Sequence, residues 1–165
     1  MKLVMSAMLA VIVFPLFTGI YDYFQEQKDM NQADKAVTLF IKASAEGSDK
    51  LKRKVLMKDA QGILDDSYHA FPGNAKKMGN RYAFKRFAND YDKKHVLYYY
   101  IEYYHPANDT VYADNIKMVK DTDGKWKSTT LTGLREETMR SYIEGHEQEG
   151  VLVHSYKREG VTGEN

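Results

Sequence analysis

The residues able to do chemistry are spread thinly along this chain. Its five histidines are His69, His95, His105, His146 and His154. None has the H-x-x-x-H spacing that places two imidazoles on one helix face, and no H-E-x-x-H occurs. They read as structural or surface histidines, and no metal is expected. Asp121-Thr122-Asp123-Gly124 begins like a calcium loop, but its glycine comes too early for the twelve-residue pattern, so it reads as a tight hairpin turn. Cysteine is absent, which removes disulfides, thiol catalysis and cysteine-bound metal. Asp114, Tyr99 and Tyr103 could form a carboxylate–phenol group for proton transfer, provided the carboxyl has a raised pKa in a dry pocket. With 13 tyrosines in the chain, such a group arises readily by chance. No catalytic residue and no cofactor is therefore assigned.

A second kind of chemistry is contact. Tyr98, Tyr100, Tyr103 and Tyr104 lie in one run, and tyrosine offers rigid amphipathic area suited to interfaces. The competing reading is cross-strand aromatic packing inside a sheet. Residues 50–94 hold twelve Lys/Arg and five Asp, and residues 134–165 hold four Lys/Arg and seven Glu. The basic lobe, centred on Lys52, Arg53 and Lys54, could face an anionic surface. It could equally be a solvated face. The candidate partner-binding residues are Tyr98, Tyr100, Tyr104, Lys52, Arg53 and Lys54.

The elements that must hold these residues begin with a membrane-length segment. Leu3 to Tyr21 is nineteen residues without a charge, enough to cross a hydrocarbon core of ~30 Å as a helix. Only Lys2 precedes it, the run is long for a signal peptide, and no small-x-small pair lies close behind it. The expectation is an uncleaved single-pass anchor at 1–24, N-terminus inside, with Tyr21, Tyr23 and Phe24 at the interface. A cleaved signal and a secreted soluble accessory factor is the alternative.

A domain outside the membrane then runs over 25–145. Asn31 to Glu46 repeats Ala33, Ala36, Val37, Phe40, Ile41 and Ser44 on one helical face. Gly47 is a stop and Ser48 an N-cap for a helix over Asp49–Met57. Ala60–Ala70 reads as a short helical or irregular piece and Phe71–Asn74 as a turn. From Asn80 the period becomes two. Strands are expected at Arg81–Ala88, His95–His105, Thr110–Lys120 and Lys125–Leu131, with turns at Asn89–Lys93, Pro106–Asp109 and Asp121–Gly124. The step from Tyr82 and Phe84 to Phe87 breaks the alternation and suggests a bulge. The strand His95–His105 is aromatic on both faces, as a central covered strand would be. A helix comes next at Leu134–Glu144. Residues 146–165 form a tail, in which Val151-Leu152-Val153 is a candidate last edge strand. The fold class is α+β: a transmembrane helix, then a long amphipathic helix packed on a curved four-stranded antiparallel sheet. Phe40, Ile41, Leu97, Ile101 and Trp126 should share its core.

This order resembles the nuclear-transport-factor-2-like, or cystatin-like, cone. The resemblance rests on Ala36–Ile41 in the helix, on Tyr98–Tyr103 and Asp114–Val119 in the strands, and on Asp123-Gly124-Lys125-Trp126-Lys127. It covers about Asn31 to Leu131. It implies a helix lying in the concave face of a bent sheet. With a single N-terminal span, the layout is similar to assembly subunits of type IV secretion and conjugation machines. The resemblance implies a bacterial envelope scaffold whose partners are other envelope proteins or copies of itself. Lysine-rich strands with aromatics can also bind nucleic acid, but an extracytoplasmic anchor argues against that, and no nucleic acid is expected. Other members of the cone family are small enzymes with an Asp/Tyr pocket, and a lyase or isomerase of that type is the alternative function.

Overall fold

The computed structural model describes residues 2–64, 77–88, 95–105, 110–129, 141 and 143–156, with the side chains of 2–18 and of residue 63 outside the description. The chain divides into two compact units, Met1–Gln32 and Ala33–Asn165. The first unit is helical from Lys2 onward. Among the described residues no helix is long and apolar enough to cross a membrane; most side chains of Leu3–Tyr21 lie outside those residues.

The second unit is α+β, a long helix packed on an antiparallel sheet. Helix α1 spans Lys2–Ala45, so its last thirteen residues belong here. Ala33, Val37, Phe40 and Ile41 form one stripe and are almost fully buried. Gly47 takes φ 62°, and the amides of Gly47 and Ser48 donate back to the carbonyls of Ser44 and Ala43. A left-handed residue here ends the helix and satisfies its last carbonyls. The Ser48 hydroxyl accepts from the Leu51 amide and starts α2, Asp49–Val55. This helix stops before Leu56, which bridges to Ser128 instead of completing another turn. α3 covers only Lys58–Gln61 and continues as a 3-10 turn over Gly62–Leu64. The remainder of the expected Ala60–Ala70 piece and the Phe71–Asn74 turn lie outside the described residues.

Among the described residues the sheet has five strands, not four: β1 Tyr82–Phe87, β2 Val96–His105, β3 Thr110–Lys120, β4 Trp126–Ser128 and β5 Val151–His154. Their order is β4-β3-β2-β1-β5 and every pairing is antiparallel. The first four form a meander. The fifth comes back from the far end of the chain to pair with β1, so the tail supplies part of the sheet. β4 is shorter than Lys125–Leu131: Thr129 lies beyond the strand, although its amide still donates to the Lys117 carbonyl at 3.3 Å, and residues 130–131 lie outside the description. So do the turns at 89–94 and 106–109 and most of the helix expected at 134–144, of which Ser141 and Ile143–Gly145 are helical.

The β1–β2 register runs unbroken from Tyr82 opposite Tyr103 to Phe87 opposite Tyr98. The phase slip after Phe84 is therefore not a bulge in that pair. Phe87 points to the opposite face from Phe84 and is buried there against Ile143. A bulge does occur between Phe84 and Lys85, but in the pairing with β5. The five core residues expected from the sequence, Phe40, Ile41, Leu97, Ile101 and Trp126, are all buried. Alternation in a strand places Leu97, Tyr99 and Ile101 together on the α1 face.

Candidate interaction surface

The tyrosines of β2 sort by parity. Tyr99 faces α1 and is fully buried. Its hydroxyl donates to Asp34 Oδ1 at 2.9 Å, and Arg86 donates to Asp34 Oδ2 at 2.6 Å. Burial pushes the Asp34 carboxyl above the usual carboxylate range, although Arg86 and the Tyr99 hydroxyl pull the other way. Burial, reinforced by the nearby Asp34 charge, pushes the Tyr99 phenol up. Among the described residues the buried Arg86 Nε has no hydrogen-bond partner, so the guanidinium is only partly satisfied there.

Sequence reasoning misses this constellation, yet the chain carries a signal for it. Arg86 continues the period-two series Tyr82, Phe84, and Asp34 sits between Ala33 and Val37 on the apolar stripe of α1. A charge in phase with a buried face is a charge that must find a partner there.

The suggested proton-transfer group is arranged differently. Tyr99, Tyr103 and Asp114 share the α1 face, since Asp114 is registered opposite Ile101. The Tyr99 hydroxyl, however, is engaged by Asp34. Asp114 Oδ1 accepts from the Asn115 amide. Tyr103 stacks on Tyr112 at 5.9 Å between ring centroids, and burial, then the Asp114 charge, pushes its phenol up to about 12.

Tyr98, Tyr100 and Tyr104 point to the other face and are half-buried. Tyr98 and Tyr100 pack against Phe87 and Ile143, and the Tyr100 hydroxyl donates to Glu102 Oε1 at 2.7 Å. Tyr104 lies under the Arg81 guanidinium, 4.9 Å from its ring centre, and meets Tyr156 edge-on. This ridge is thus partly roofed by the same chain between Ser141 and Tyr156. Gly150 makes the roof possible: a Cβ there would sit 2.7 Å from the Phe87 ring.

Lys52, Arg53 and Lys54 stand on α2, which is tied to β4, two strands from β2. The structure does not join them to the tyrosine ridge. Arg53 and Lys54 are exposed. Lys52 is half-buried, and burial lowers its ammonium pKa, with Asp49 opposing the shift. A shallow cleft of about 630 Å³ lies beside them, where Lys42, Lys50 and Lys77 face Glu46 and Asp49. Its charges are of both signs. Glu46 already holds the Lys77 ammonium and the Met78 amide, each at 3.4 Å.

The two edges of the sheet complete the surface. At β4 the Met57 amide donates to the Ser128 carbonyl at 3.0 Å. The hairpin before it is stapled by ion pairs of Lys127 with Asp121 and Lys125 with Asp123. These lysine hydrogen bonds hold both carboxyls below the usual range. At β5, Val151 and Leu152 are 54 % and 56 % exposed. His154 ends the strand stacked on Tyr82 at 4.0 Å, its Nδ1 2.8 Å from the Tyr82 carbonyl oxygen.

No protein-family model, curated protein or solved structure matches this chain.

Proposed function

We propose that this chain is a membrane-anchored extracytoplasmic binding or scaffolding module that works through protein–protein contacts. Leu3–Tyr21 is the anchor, with the N-terminus inside and the domain outside. The observation that carries this reading is the continuity of α1 from Lys2 to Ala45, which runs an uncharged, membrane-length sequence without a break into the amphipathic stretch of a folded domain. Ile20, Tyr21, Tyr23 and Phe24, at the end of the apolar run and just past it, are between 53 % and 65 % exposed, as residues of an interfacial aromatic belt would be in the absence of lipid. A helix on one face of a sheet whose first four strands form a meander is consistent with the nuclear-transport-factor-2-like cone. The half-roofed tyrosines and the apolar β5 edge are the surfaces proposed for contact.

Carbonate extraction of membranes from cells making the full chain tests the anchor. The expected result is full-length protein in the pellet. A soluble mature form in the medium, shortened by roughly 25–45 residues, would replace the anchor with a cleaved signal.

A further inference from the structure

We infer that Asp34, Arg86 and Tyr99 form a lock that fixes the register of α1 on the sheet, a choice its apolar stripe does not make alone. The lock stands on one rung of the ladder: Arg86 of β1 and Tyr99 of β2 are directly opposite each other. Both side chains reach the same carboxylate and donate to different oxygens of it, Arg86 to Oδ2 at 2.6 Å and Tyr99 to Oδ1 at 2.9 Å. Two donors from two strands, each on its own oxygen, fix where the carboxylate lies along the strands and which way it turns.

The stripe around Asp34 is permissive. Ala33, Val37, Ile41 and Ala45 follow one another at four-residue spacing, and all are fully buried. The sheet face on their side presents Leu97, Ile101, Ile116 and Met118, which are buried and carry no charge. Apolar burial has no direction of its own. A helix drawn one turn, about 5.4 Å, towards its N-terminus puts Val37, Ile41 and Ala45 where Ala33, Val37 and Ile41 stand. The same move puts Thr38 where Asp34 stands.

The charges do discriminate. Thr38 cannot neutralise a guanidinium, and the side chains of Asp34 and Arg86 are both too deeply buried to be left apart. Among the described residues the Arg86 Nε has no hydrogen-bond partner, so none of them is a second acceptor ready to replace Asp34. Glu46, just past the end of α1, is buried as well, but its contacts with the Lys77 ammonium and the Met78 amide are both 3.4 Å long. Bonds of that length constrain position less than the short pair at Asp34. α2 is followed by the tie from Met57 to β4, which leaves Gly47, at φ 62°, as the joint where a displacement of α1 is absorbed.

The chain has no cysteine, so a pair of introduced thiols is unique. Lys42→Cys on α1 and Lys85→Cys on β1, both at exposed positions, are spin-labelled in the purified full chain, and their distance distribution is measured by double electron–electron resonance. The backgrounds are the native chain, Asp34→Leu with Arg86→Met, and Glu46→Gln, and a denaturant melt of each runs in parallel. Removing both charges together avoids the unpaired buried ion that either single change leaves. The expected result is one narrow distance in the native and Glu46→Gln chains. The charge-free chain should still melt cooperatively and show a second distance, displaced by up to about 5.4 Å. A single native distance in the charge-free chain overturns the lock, and so does a second distance in Glu46→Gln, since register would then be shared along the helix. Where the charge-free chain loses its cooperative melt, Asp34→Asn decides: a second distance there keeps the lock, whereas the single native distance, or unfolding of both variants, overturns it.

Discussion

The two edges of this sheet are of similar length and opposite character. β4 is covered: Leu56 and Met57 bind across Ser128, Trp126 and Ser128 are buried, and lysines stand on the hairpin. β5 carries no lysine, and its two most exposed residues are aliphatic. Both are joined to the neighbouring strand by antiparallel ladders, so the contrast does not come from strand pairing. It comes from the segments packed alongside. α2 and the chain after it are held against β4, whereas β5 has its ladder to β1 and the His154–Tyr82 stack on its inner side. An edge is closed by a neighbouring segment, not by its own propensity.

The largest test of that difference is a pair of truncations. Trp126→Ala at the covered edge should cost about 3–5 kcal/mol, since a large buried ring is lost from a packed site. Leu152→Ala at the open edge should change stability by less than about 0.5 kcal/mol, as exposed positions do. Denaturant midpoints of both variants check this. Similar losses at the two sites would mean that β5 is as deeply integrated as β4.

The next test concerns β1, the strand that β5 covers. Arg86→Met leaves Asp34 buried with only the Tyr99 hydroxyl, and should cost about 3 kcal/mol at neutral pH. The pH dependence has a definite sign. The Asp34 carboxyl lies above its ordinary 3.8 in the folded chain, so folding favours its protonated form. That contribution is complete below 3.8 and is lost as pH rises through the folded value. Removing the arginine raises the folded value further. The deficit of the variant should therefore shrink on acidification, which melts at neutral and acidic pH would read. A deficit independent of pH would show that Arg86 acts by packing alone.

A smaller effect is expected at the entrance to β5. Gly150→Ala forces a methyl into the Phe87 ring and should cost about 1–3 kcal/mol. If β5 were docked loosely, the segment would shift and the loss would vanish.

Much of this architecture is written in local pattern. The stripe from Ala33 to Ser44, the Gly47–Ser48 stop and cap, and the long strands from His95 and Thr110 obey periodicities that a short window captures. The Asp121–Gly124 turn does as well, because Gly124 takes φ 75° and the Asp121 amide donates to the Lys125 carbonyl. The fifth strand is legible as a fragment and not as a member of the sheet. Four residues show no useful period, and the partner of Val151–His154 lies in a remote part of the chain. Phe87 misleads for a related reason: a residue covered from the second face looks like a slip when only one face is assumed buried. The alternation of tyrosines along β2 does reveal that the strand serves two faces. What no local window contains is the roof over Tyr98 and Tyr100, or the choice by Tyr99 of Asp34 over Asp114, since both depend on long-range closure.

The pairing of β5 with β1 also sets an order in time. β1, β2, β3 and β4 lie close together in sequence and can form their ladders as soon as each hairpin exists. β1 then waits, with its outer side unoccupied, until the ribosome has made the residues after Gly150. Throughout that interval Tyr82–Phe87 lacks the strand that covers its outer side in the finished sheet. The last strand to be made thus covers the outer side of the first.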